Sequence, residues 1–226
     1  MRWQAKRCRP LKLENARVLI VAPHPDDEAI GCGGLTARMV GSGCMPHVAI
    51  LSGGGKSHAG CCTLNEAEIV AQRRQLTTKA ACCLGLGDNH VHHLNFTDGS
   101  INGESTEVQH LKELLDELQP KTVFIPHWGE GWPDHLKAAE MMKTIVAPDC
   151  EIYEYCVWAW YYNVWRLNWQ QARVLWMSDE EHHQKLQAVA AYITPLAPCG
   201  KPWSGVLPKL LLKAAKWNGE IFFKTR

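Results

Sequence analysis

Short apolar runs alternate along the chain with longer stretches in which apolar positions recur every three to four residues. Residues 17–22 (R-V-L-I-V-A) are almost wholly apolar and rich in β-branched side chains, and they stop at Pro23. Such a run predicts a strand buried on both faces rather than one arm of a hairpin. A helical stretch over 28–41 follows, then a second apolar run at His47–Ser52 that ends in Gly53, Gly54 and Gly55. Residues 65–84 predict a long helix closed by Gly85, 90–96 a third strand, 106–118 a helix stopped before Pro120, and Thr122–Pro126 a fourth strand. Pro133 stands where a first helical turn tolerates proline, so 134–146 predicts another helix. Beyond residue 150 the alternation loosens into strand-like pieces near 151–158 and 172–177, a helix around 179–193 and a basic C-terminal stretch.

Repeated strand–helix units predict a Rossmann-like α/β fold: a mostly parallel sheet with helices on both faces and the functional groups at the C-terminal ends of the strands. A length of 226 residues fits one domain, 1–226. The net charge of +1 gives no broad basic surface, so no nucleic-acid partner is expected. Ten cysteines include the adjacent pairs Cys61-Cys62 and Cys82-Cys83 but no C-x-x-C, which favours reduced thiols in a cytoplasmic protein over a disulfide framework or a zinc knuckle. The N-terminus lacks the apolar core of a signal peptide, and no apolar run reaches membrane-spanning length. Trp158, Trp160, Tyr161, Tyr162, Trp165 and Trp169 cluster closely, which leaves room for peripheral membrane contact or for stacking on sugar rings, beside plain packing over the sheet edge.

Directly after the first strand comes Pro23-His24-Pro25-Asp26-Asp27-Glu28. Crowded carboxylates repel unless a cation or proton sits among them, and a divalent metal binds His and Asp while leaving a neighbouring carboxylate free to handle protons. For Glu28 the plainer role, capping the helix start, is preferred. A catalytic zinc takes three protein ligands and a water. The fourth strand leads into Pro126-His127-Trp128-Gly129-Glu130-Gly131-Trp132-Pro133-Asp134-His135, so His135 is the candidate third ligand. Gly31-x-Gly33-Gly34 lacks the order of a nucleotide-binding loop and is better explained by close helix packing.

A strand followed by Pro-His-Pro-Asp-Asp-Glu and a distant Pro-Asp-His-x-x-Ala resembles the LmbE-like, or PIG-L, family of N-acetylglucosaminyl deacetylases. Softer similarities join the two motifs: Arg73 with Ala80, Leu84 and Gly85, then Thr97-Asp98-Gly99, Glu154-Tyr155, Trp158-Ala159-Trp160, and Glu220-Ile-Phe near the end. The resemblance implies Zn2+ or another divalent metal on His24, Asp27 and His135, with Asp26 as the base that takes a proton from the attacking water and returns it to the leaving amine. It also implies Arg73 and Asp98 as hydrogen-bond partners of sugar hydroxyls, and a small amino-sugar conjugate as substrate. Family members usually carry a second histidine three residues before the last ligand, where it donates to the oxyanion, and this chain has Trp132 there. An indole N–H donates one hydrogen bond but carries no positive charge, and an oxyanion donor is worth about 10²–10³ in rate. His127 either substitutes from the strand end or is a loop histidine. Three alternatives stand beside the deacetylase: a metal-binding, catalytically weak sugar-binding member, an amidase acting on another conjugated metabolite, and a magnesium-binding α/β regulator, against which His24 and His135 argue.

Overall fold

In the computed structural model, which describes the chain apart from residues 1, 14–16, 62, 105 and 163–166, the first apolar run is a strand at Val18–Ala22 with all five residues buried. Cys62 and Trp165 lie outside the described residues. The described strands form one sheet of eight: β1 (Arg9–Pro10), β2 (Val18–Ala22), β3 (His47–Ser52), β4 (Val91–Phe96), β5 (Thr122–Pro126), β6 (Glu151–Tyr155), β7 (Ala172–Trp176) and β8 (Gly219–Lys224), in the order 1-7-8-6-5-2-3-4. The described helices are α1 (Arg2–Ala5), α2 (Asp27–Gly41), α3 (Glu66–Cys83), α4 (Glu107–Leu118), α5 (Pro133–Ile145), α6 (Ala159–Tyr162), α7 (Asp179–Ile193) and α8 (Lys209–Ala215). None is long and apolar enough to cross a membrane.

The two-residue period of a strand sorts β2 between two cores. Val18, Ile20 and Ala22 pack with Ile30, Leu35, Leu76 and Val189 of α2, α3 and α7. Leu19 and Val21 point the other way, to Leu111, Ala138 and Met142 of α4 and α5. Both faces of β2 are covered, which is why its sequence is continuously apolar. Helix starts follow the sequence signals: the Asn65 and Ser178 side chains close capping boxes with Glu68 and Glu181 at the heads of α3 and α7, each worth about 1 kcal/mol. Gly31 is fixed by packing, since a Cβ there would run into the Tyr155 ring.

The sheet is parallel except at β8, which runs antiparallel to both β6 and β7. The C-terminal stretch read only as basic therefore holds α8 and β8. Its strand is short of the usual signals because charged Glu220 is buried within it, bonded to Lys185 of α7 and to the N–H groups of Gly34 and Leu35. From β2 the chain builds outward through β3 to β4, then returns to lay β5 on the other side of β2. The loops after β2 and β5 diverge at that reversal, leaving a crevice at the C-terminal strand ends.

Candidate active site

The turn after β2 is held in an unusual backbone. Asp26 has φ 110° and ψ −29°, a left-handed conformation that strains a residue with a side chain. Its N–H donates to Glu28 Oε2 at 3.0 Å, and Tyr192 Oη donates to the other oxygen of Glu28. Glu28 thus has the helix-start role expected of it. Arg73, buried on α3, donates to the Pro25 and Gly54 carbonyls and faces Asp26 Oδ2 at 3.5 Å.

Three side chains converge across the crevice. Asp27 Oδ2 lies 3.5 Å from His24 Nδ1 and 3.2 Å from His135 Nε2. Ligands about 2.0–2.1 Å from a tetrahedral zinc stand about 3.3 Å from one another, so both separations suit one ion. The far nitrogen of each imidazole is already engaged. His24 Nε2 lies 3.1 Å from Asp134 Oδ2 and 3.2 Å from Asp98 Oδ1, and His135 Nδ1 lies 3.0 Å from Glu130 Oε2. His135 Nε2, by contrast, is buried without a hydrogen-bond partner.

Neither supporting carboxylate is loose. Asp134 accepts the N–H groups of Gly99 and Ile101, while Glu130, fully buried, accepts those of Val157, Trp158 and Ala159. Carboxylates placed this way fix ring orientation and tautomer in metal-binding histidines. Sequence reasoning assigned no role to Glu130 or Asp134. The signal was an acidic residue on either side of the Trp132 turn, at one and five positions before His135.

Electrostatics match a site built for a cation. Burial alone would lower the His135 pKa, but Asp27 and Glu130 raise it from its ordinary 6.5 to about 9. His24 follows the same pattern: burial is outweighed by Asp134, Asp27 and Asp98, which hold it well above its ordinary value. Asp27 is buried as well, yet His135 and His24 hold its carboxyl below the usual range. Burial raises Asp26 well above that range, with Arg73 opposing.

These groups open on a cavity of about 420 Å³ whose lining includes His24, Asp26, Asp27, Arg73, Asp98 and Trp132. Trp132 is 43% exposed and stacks on Trp158, ring centroids 5.4 Å apart and 14° from parallel. Asp98 lines the cavity while its Oδ2 accepts the Lys56 N–H. His127 is a residue of the connection after β5 and is not among the groups lining the cavity. It is buried against Phe223, accepts the Gly129 N–H through Nδ1, and has its pKa lowered to about 4 by burial and by Lys143.

Residues 19–146, more than half of the chain, match the PIG-L family, described as GlcNAc-PI de-N-acetylase. A 1D-myo-inositol 2-acetamido-2-deoxy-alpha-D-glucopyranoside deacetylase of Corynebacterium glutamicum is 31% identical over 162 residues, covering 57% of this chain and 52% of that protein. A diacetylchitobiose deacetylase of Thermococcus kodakarensis is 30% identical over 132 residues, covering 54% of this chain and 46% of that protein. The chain spans about half the length of the curated relatives it matches. The A40926 pseudoaglycone deacetylase Dbv21 has a structure alike in fold, with a TM-score of 0.69 at 17% identity over 93% of this chain and 97% of that one.

Proposed function

The chain belongs to the PIG-L family, and from that premise we propose that it is a zinc-dependent hydrolase that removes the N-acetyl group from an N-acetylglucosamine-type sugar conjugate. His24 Nδ1, Asp27 Oδ2 and His135 Nε2 hold the ion. The observation that carries this assignment is His135: one ring nitrogen is fixed on Glu130, and the other, buried and making no hydrogen bond, faces the Asp27 carboxylate at 3.2 Å, the spacing of two ligands on one ion.

A bound zinc supplies Lewis acidity, polarising the amide carbonyl and acidifying the attacking water. Asp26 is no ligand in this assignment. Its carboxylate takes the proton from the water and returns it to the departing nitrogen, while Arg73 and Glu28 hold its strained backbone in place. Arg73 and Asp98 line the pocket for the sugar, and the Trp132–Trp158 pair offers a flat face to a sugar ring. The neighbours' names, an inositol-linked and a chitobiose-type N-acetylglucosamine, supply the substrate class.

A second reading is favoured by one residue. With Trp132 in place of a charge-capable donor, a member that binds the sugar and hydrolyses it slowly fits the same site. Incubating the zinc-loaded protein with N-acetylglucosamine conjugates and measuring free amine separates the two, with Asp26→Ala as control. The deacetylase releases amine and the control does not. Binding without release, restored by Trp132→His, selects the second reading. Zinc content unchanged in His135→Ala would overturn both.

A further inference from the structure

Beside the cavity, His58, Cys61 and Cys199 turn three ligand atoms toward one point. Buried His58 ends a single 3-10 turn at Gly55–His58, Cys61 follows three residues later, and Cys199 comes from the connection between α7 and α8. The two sulfurs are 3.6 Å apart, and His58 Nδ1 lies 3.6 Å from Cys61 Sγ and 3.4 Å from Cys199 Sγ. Zinc bonds of about 2.3 Å to sulfur and about 2.0–2.1 Å to nitrogen set tetrahedral edges of about 3.8 Å between sulfurs and about 3.5 Å between sulfur and nitrogen. The triangle fits a single ion.

Protons fit it less well. Two thiol hydrogens and a ring nitrogen that either donates or accepts close at most two of the three edges as hydrogen bonds. Among the described residues no group hydrogen-bonds His58 Nε2, so no donor there forces the ring proton onto Nδ1, and the Nδ1 lone pair is left to face the two sulfurs.

We propose that His58 Nδ1, Cys61 Sγ and Cys199 Sγ form a second, thiolate-rich Zn2+ site, separate from the cluster at the strand ends. Binding forms two zinc–sulfur bonds and releases the two thiol protons to solvent, while the Nδ1 lone pair makes the third bond. Two thiolates neutralise the ion, so no net charge is buried, and the half-buried cysteines leave the fourth position to water. The ion ties the segment carrying Lys56 and Ser57 to the one carrying Ser204, Gly205, Val206 and Leu207, all of which line the cavity. Trp203, edge-on to His58 with ring centroids 5.5 Å apart, already joins the two segments. The site is a clip on the cavity wall.

The test uses the full chain, purified under reductant after zinc-supplemented expression. Asp27→Ala with His135→Ala removes the first site and is expected to retain one equivalent of zinc. Adding Cys61→Ser or Cys199→Ser removes that equivalent, with far-ultraviolet circular dichroism reporting the fold. Co2+ exchanged into the otherwise unaltered chain is expected to give a thiolate-to-cobalt charge-transfer band that His58→Gln weakens, a readout that does not depend on the cysteine variants folding. Absence of that band, zinc content unaffected by either cysteine substitution, or a Cys61–Cys199 disulfide in the isolated chain would each overturn the proposal. A cobalt band without zinc loss in His135→Ala would instead overturn the strand-end site and leave this one standing.

Discussion

The cavity has two walls of different make. On one, His24, Asp26 and Asp27 leave the end of β2, backed from behind by Asp134 and His135 at the start of α5, and each is buried or nearly so and fixed by named partners. On the other, Lys56 and Ser57 belong to the short 3-10 turn Gly55–His58 and residues 204–207 to a loop, and Val206 is 70% exposed. Groups that handle a reacting atom tolerate little displacement, so they sit where the sheet fixes them. The loops are free to vary with the substrate. Under the proposed function, the contrast puts the chemistry on the first wall and the choice of conjugate on the second.

Asp26→Asn is the sharpest way to break that contrast. It keeps the shape but removes the proton acceptor, so kcat is expected to fall about 10²–10⁴-fold with zinc content unchanged. Steady-state kinetics beside metal analysis checks it, and a parallel loss of zinc would make Asp26 a ligand. Next in size is Glu130→Gln, which weakens the hold on His135. Loss of such a supporting carboxylate costs about 10–100-fold in metal affinity, read by competition with a chelator. No matching loss is expected from substitutions at Val206, which touches neither imidazole support.

pH sharpens the comparison without any substitution. The His135 pKa of about 9 lies above its ordinary 6.5, so the metal-free fold binds that proton more tightly than the unfolded chain does. Its contribution to stability is complete below about 6.5 and is lost as pH rises through about 9. Zinc requires the neutral ring, so zinc stabilisation grows over the same window. Melting curves of the metal-free and zinc-loaded protein should converge toward pH 6.5 and separate toward pH 9. A constant gap would mean that zinc does not displace the His135 proton.

The first wall was legible in the sequence and the second was not, for a physical reason. His24, Asp26 and Asp27 fall in one tight turn, and His135 occupies the equivalent position after β5, so strand ends and local spacing were enough to bring them together. β8 was lost because its buried Glu220 reads as a surface residue until Lys185, far away in sequence, is placed against it. His58, Cys61 and Cys199 were lost likewise. Metal sites written as C-x-x-C are local, whereas this triangle depends on a loop that returns from beyond α7. For His127 the sequence left two readings, a donor reaching the site or a loop histidine; it lies in the connection after β5, with its ring turned into the core against Phe223.

Trp132 stands where the two walls meet, and it gives the smallest and most diagnostic effect. If its role is the flat face it shares with Trp158, Trp132→Ala removes an aromatic contact worth about 0.5–1.5 kcal/mol, raising KM about 2- to 10-fold with little change in kcat. If instead its indole N–H serves the oxyanion, the loss falls on kcat and reaches about 10²–10³. Trp132→Phe keeps the ring and removes the N–H, so it restores KM in the first case and restores nothing in the second. Its 43% exposure and near-parallel stacking favour the first outcome, because an oxyanion donor works in a site closed to water. A kcat defect in Trp132→Phe would move the residue from the binding face into the chemistry.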